Sequence, residues 1–123
     1  MKYVCFYTVT GKYQLPKTMY RNELHRLDGH AILWSDGSKE WYKNGKRHRI
    51  NGPAVDLNNG RKDWYINGIH HNLSGPAVIW REKYEYFING EKLNKKEVEN
   101  WIKENNIDLN KKTYQIIFLL RFG

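Results

Sequence analysis

The chain has one cysteine, Cys5, among its 123 residues, so it can form no intramolecular disulfide and no cysteine-based zinc site. That scarcity fits a reducing compartment, and a buried strand position is the expected place for Cys5. Long apolar runs are also missing. The longest purely aliphatic or aromatic stretch, Ile116 to Leu120, is far too short to cross a bilayer as a helix. The opening "MKYVCFYTVT" alternates too polar a pattern for a secretory signal, which leads us to expect a cytoplasmic protein without a transmembrane segment. No glycine-rich phosphate loop, nucleophile elbow or His-Glu metal motif occurs. We therefore expect a non-enzyme with no catalytic residues, no metal site and no cofactor. Glu40, Asp63 and Glu85 recur at equivalent positions, as duplicated strand residues do, whereas an active site is local and asymmetric.

What is abundant argues for a folded chain. Hydrophobic residues make up 40% and aromatics 15% of it, too much for a disordered polymer. The length suits one domain with one modest core, spanning 1–123. Within it we distinguish an N-terminal hairpin (1–17), a repeat region (18–93) and a helical cap (94–123).

The repeat region announces itself. "HRLDGHAILW" begins at His25, "HRINGPAVDL" at His48 and "HNLSGPAVIW" at His71, an interval of 23 residues that signals repeat architecture. Asp36-Gly37 and Asn59-Gly60 predict two-residue type I′ hairpin turns. That register sets Ile32 opposite Trp41 and groups Ile32, Trp34 and Trp41 on a core face, with Val55, Leu57 and Trp64 equivalent to them. Asp56 and Asp63 then fall together on a wetted face. A second turn closes each unit, at Asn44-Gly45, Asn67-Gly68 and Asn89-Gly90. In the third copy Trp80 to Tyr86 is one residue shorter than Trp34 to Trp41; a two-residue loop there would put Phe87 on the core side, whereas the three-residue loop we expect keeps Tyr86 there. Pro53 and Pro76 suit positions that need no ladder donor, and Ala31, Ala54 and Ala77 permit close approach between units. His25, His48 and His71 are spaced too far apart to converge on one metal ion, so each is expected to hydrogen-bond its own connector loop.

The stretch "DGSKEWYKNGKRHRINGPA", Asp36 to Ala54, closely resembles the repeats of MORN-like proteins of bacteriophages and large DNA viruses, over about Tyr20 to Glu91. The resemblance implies an elongated, twisted antiparallel sheet of hairpins that serves as a protein-interaction or lipid-associated module, with no shared catalytic residues. It also implies a host protein complex, such as a defence component, as the partner, and host cytoplasm as the location. Two departures stand out: His30 occupies the place of Pro53 and Pro76, and Asn72 replaces the basic Arg26 and Arg49. The expected fold is mainly β with C-terminal helices (α+β), with about three 23-residue hairpin repeats between two caps. Tyr3 to Leu15 read as a hairpin bent at Gly11, with Val4, Phe6 and Thr8 alternating against Tyr3, Cys5 and Tyr7. Asn94 is an N-cap for "KKEVENWIKENN", with Val98, Trp101 and Ile102 at helical spacing. Tyr114, Ile117, Phe118 and Arg121 outline a second helical stripe, and the viral relatives often close with such a segment.

The net charge is +8, and more than half of it sits between Lys39 and Lys62, where seven bases face two acids. We expect Tyr42, Lys43, Lys46, Arg47, Arg49, Arg61, Lys62 and Tyr65 to form a basic, aromatic sheet surface that binds a protein partner. The alternative is RNA or single-stranded DNA, with cations on phosphates and aromatics stacked on bases. An open sheet edge would also let two copies pair.

Overall fold

Turn chemistry decides how each repeat is laid out. The computed structural model describes residues 3–8, 11–14 and 20–123; Leu15, the facing of Val4 and the expected boundary at residue 17 lie outside what is described. The N-terminal hairpin pairs β1 (Tyr3–Thr8) with β2 (Gly11–Gln14), and Cys5 is buried in it. The first repeat carries β3 (Ile32–Trp34), β4 (Lys39–Glu40), β5 (Tyr42–Lys43) and β6 (Lys46–Arg47). The second carries β7 (Val55–Asp56), β8 (Lys62–Asp63), β9 (Tyr65–Ile66) and β10 (Ile69–His70). The third carries β11 (Val78–Trp80), β12 (Lys83–Glu85), β13 (Phe87–Ile88) and β14 (Glu91–Lys92). The first hairpin of every unit joins an eight-stranded antiparallel sheet in the order β12-β11-β8-β7-β4-β3-β1-β2. The second hairpins form a parallel row of pairs, tied to one another by backbone bonds such as Arg49 N–H to Tyr65 O (3.1 Å) and Gly68 N–H to Arg47 O (2.7 Å).

Asn44-Gly45, Asn67-Gly68 and Asn89-Gly90 are two-residue turns with positive φ at both positions, as a type I′ turn requires. Asp36-Gly37 is different. Ile32 pairs with Glu40, not Trp41, because the loop holds three residues: Gly37 N–H donates to Trp34 O, and Trp34 N–H to Ser38 O. This is a type I turn closed by a glycine bulge, and Asn59-Gly60 repeats it, with Gly60 N–H on Leu57 O. The expected register is thus corrected by one residue. Since such a slip turns a strand over, Trp41 and Trp64 lie opposite Ile32 and Val55 instead of beside them. In the third unit the expectation of a three-residue loop also fails: Trp80 pairs with Lys83, leaving only Arg81 and Glu82 between them. The missing residue is absorbed wholly in that loop, so Glu85 and Tyr86 hold the places of Glu40 and Trp41.

Cross-strand partners share a face. Ile32, Glu40, Val55, Asp63, Val78 and Glu85 make one row, on what we call the carboxylate face. Leu33, Lys39, Asp56, Lys62 and Ile79 make a row on the other side. Asp56 and Asp63 are therefore separated, and Asp63 is buried. Trp41, Trp64 and Tyr86 sit on the second side, which we call the connector face. Between units, Ala31, Ala54 and Ala77 are fully buried, as close approach demands.

Each face has its own core at one end. On the carboxylate face Phe6, Leu24, Ile32 and Tyr42 cluster with Tyr13 and Trp34. On the connector face, α1 (Lys95–Glu104) and α2 (Lys112–Phe122) build a cap of Val98, Leu109 and Phe118 over Tyr86 and Ile88. Asn94 caps α1 as expected, its side chain accepting from Glu97 N–H. In α2 the stripe that packs inward is Tyr114, Phe118 and Phe122, the last two packing on Trp101; Ile117 and Arg121, the other members of the expected stripe, are exposed.

Candidate binding face

The residues expected to make one surface divide between the two faces. On the carboxylate face each unit sets an acid against a base seven positions on. Glu40 accepts from Arg47 Nε (3.2 Å), Asp63 lies 3.6 Å from His70 Nε2, and Glu85 lies 3.8 Å from Lys92 Nζ. Glu40 also accepts from Trp34 Nε1 (2.7 Å) and Tyr42 Oη (3.3 Å). The bases and aromatics interleave along the row. Arg47 lies between Tyr42 and Tyr65, and His70 is sandwiched between Tyr65 (4.1 Å) and Phe87 (4.9 Å). Burial opposes the Arg47 charge, but the facing Tyr42 and Glu40 outweigh it and raise the pKa. Burial and the Glu40 carboxylate likewise hold the Tyr42 hydroxyl neutral. Arg61 is held by Asp63 at 2.9 Å, and Lys62 by Asp56 at 2.8 Å. Tyr42, Arg47 and Tyr65 thus spend polar and ring surface inside the protein, while Arg61 and Lys62, on opposite faces of the sheet, are paired with acids but keep 42% of their side chains exposed. Tyr42 is buried, which corrects its assignment to a partner-facing stripe.

The connector face carries exposed cations and apolar side chains beside cations that already have partners, Arg26 among the latter through its 3.1 Å pair with Asp28. Lys43 and Lys46 are exposed, with no acid within ion-pair distance among the described residues. Arg49 lays its guanidinium 3.8 Å from the Trp41 ring centroid and donates to the Pro53 carbonyl (3.1 Å). Arg26 does the same with Tyr7 (3.9 Å) and the His30 carbonyl (3.2 Å). Between these stacks runs a cleft of about 520 Å³ bordered by Trp41, Lys43, His48 and Arg49. Leu27 and Ile50, at equivalent positions in the connector loops, are 77% and 78% exposed at its rim. Their counterpart in the third unit, Leu73, packs against the helical cap.

The histidine ladder also differs from expectation. His25, His48 and His71 do not bond their own connector loops; each Nδ1 accepts the backbone N–H of the asparagine in the next turn along, Asn44, Asn67 and Asn89, at 2.9–3.0 Å. The neutral tautomer with Nε2 protonated is therefore the one that ties units together. Burial lowers the pKa of His48, aided by Lys43, and lowers that of His71. Among the described residues no group of three metal-ligating side chains comes together, and no helix is long and apolar enough to cross a membrane.

Comparison with protein-family models, with curated proteins and with solved structures finds no match for this chain. What defines it is its own architecture: an α+β protein of antiparallel hairpins with two C-terminal helices. Sequence reasoning missed the acid–base pairs, although the spacing of seven from Glu40 to Arg47, Asp63 to His70 and Glu85 to Lys92 is on display in all three copies. It missed Trp41 on this face because the assumed turn put tryptophan on the wrong side, and it missed Leu27 and Ile50 because they lie in connector loops outside any strand pattern.

Proposed function

We propose that the protein is a non-enzymatic binding module of the MORN-like repeat type that engages a protein partner through its connector face. The observation that carries this reading is the exposure of Leu27 and Ile50 at equivalent positions, flanked by the Arg26–Tyr7 and Arg49–Trp41 stacks and by Lys43. Apolar side chains standing in water at a cationic, aromatic rim suit a protein surface with apolar and acidic groups better than a phosphate backbone. The resemblance of the repeat to those of viral proteins makes a host protein complex in the cytoplasm the expected target. Nucleic acid is the competing ligand, served by Lys43, Lys46 and Arg49.

The test is capture from host-cell lysate, with and without nuclease, using the native chain and a Leu27→Glu/Ile50→Glu variant. Both sites are exposed, so the fold should tolerate the change. The reading expects a protein that survives nuclease and is lost with the variant. Bound material that disappears with nuclease, or that the variant still retains, overturns it.

A further inference from the structure

Of three equivalent loops, two hold an arginine and the third an asparagine. In the first two units the guanidinium of Arg26 or Arg49 fills a slot between an aromatic ring and a glycine. A Cβ at Gly29 would lie 3.2 Å from Arg26 Cζ, and one at Gly52 would lie 2.9 Å from Arg49 Cζ. The third unit keeps the loop and its anchor, since Asn72 Nδ2 donates to the Pro76 carbonyl at 2.8 Å, as Arg49 does to Pro53. It also keeps the ring, with Trp64 in the place of Trp41. The guanidinium alone is gone. Among the described residues no cation or ring stacks on Trp64, and nothing lies within 4 Å of a Cβ built at Gly75. Instead a cleft of about 900 Å³ opens there, larger than the one beside Trp41.

The lining of that cleft says what fits. Trp64 offers a flat face beside the aliphatic Ile50, Ile66 and Leu73; Arg49 and Lys112 bring positive charge from two sides, and no carboxylate lines the space. A partner's arginine would meet only like charge. A sugar-phosphate would satisfy the two cations but leave the three aliphatic side chains against polar atoms. We infer that the slot receives an aromatic side chain from an acidic segment of a protein partner, the ring on Trp64 and the flanking carboxylates on Arg49 and Lys112. This rests on the protein-binding reading above and names the anchor that such a partner needs.

Asn72→Arg supplies the group that the other two units carry and should close the slot without loss of fold. The probe is the acetylated, amidated peptide Asp-Glu-Phe-Glu-Asp, with its Phe→Ala analogue and adenosine monophosphate as comparisons, titrated while following the indole N–H resonances. The expected result is a shift at Trp64 with the phenylalanine peptide, weakened by about tenfold in Asn72→Arg and in the alanine analogue. Lys112→Glu, an exposed change, should weaken the same peptide and make its affinity less salt-dependent. Shifts centred away from Trp64, an unaltered affinity in either variant, or tighter binding of the nucleotide at Trp64 than of the peptide would overturn the inference. If lysate capture fails with Leu27→Glu/Ile50→Glu but persists in Asn72→Arg, the slot is refuted and protein binding through this face survives.

Discussion

Glu40 is the polar hub of the carboxylate face, and its removal gives the sharpest energetic test. In Glu40→Ala three donors lose their acceptor at once: Trp34 Nε1, Tyr42 Oη and Arg47 Nε. Tyr42 is 2% exposed and cannot turn to water, so its hydroxyl costs about 1–2 kcal/mol when unpaired. Trp34 is half-buried, and the Arg47 side chain is 27% exposed, so solvent recovers part of what each loses. Together these place the loss at roughly 3 kcal/mol, at the low end for breaking a buried ion pair. In urea this is a midpoint shift of about 1–2 M at unchanged slope. The equivalent Glu85→Ala is the control, because Glu85 and Lys92 are 36% and 61% exposed at 3.8 Å; it should cost no more than about 0.5 kcal/mol. A Glu40→Ala loss below about 1 kcal/mol, or one equal to that of Glu85→Ala, would refute the reasoning.

The histidine ladder predicts acid sensitivity. His48 and His71 have folded pKa values below their unfolded 6.5, so the unfolded chain takes up protons first; their contribution is complete above about pH 6.5 and is lost as pH falls through the folded values. Thermal midpoints from pH 8 to pH 5 should fall, and fall less in His48→Asn/His71→Asn, whose amide oxygens can accept the same bonds without titrating. Tyr86 works in the opposite direction: burial, then the Glu99 charge and hydrogen bond, push its pKa up to about 12, so its contribution is whole below pH 10 and is lost as pH climbs to about 12. Alkaline unfolding compared with Tyr86→Phe should show that loss only in the native chain. Gly45→Ala and Gly37→Ala share the cost of positive φ, about 1–2 kcal/mol, but a Cβ at Gly45 would lie 2.8 Å from Asn22 Cα whereas one at Gly37 meets nothing. Urea unfolding should find Gly45→Ala the worse by at least about 1 kcal/mol, and equal costs would contradict the close approach.

The repeat, the Asn-Gly turns, the N-terminal hairpin and both helices were legible because each is specified within a few residues. Asn44-Gly45 needs only two positive φ values, and Asn94 needs only the N–H of Glu97. Asp36-Gly37 misled because the same dipeptide serves a two-residue turn and a type I turn with a glycine bulge. The two differ by one residue of register and therefore by a whole face. The third copy held the clue: Trp80 to Tyr86 is one residue shorter, and only a three-residue loop in the earlier copies lets all three units keep their acids in one row. The Arg49–Trp41 stack was beyond reach, since it depends on how a connector loop folds back over the following sheet. The loss of arginine at Asn72 was visible, but its meaning needed the guanidinium slots of the other two loops.

Everything about the binding face follows from which way the tryptophans point. Cross-strand nuclear Overhauser effects in the hairpins Ile32–Glu40 and Val55–Asp63 measure that most directly. The account predicts contacts from Ile32 to Glu40 and from Val55 to Asp63, with Arg49 protons shielded by the Trp41 ring. Contacts from Ile32 to Trp41 and from Val55 to Trp64, with Arg49 unshielded, would turn both tryptophans inward and leave the connector face without its site.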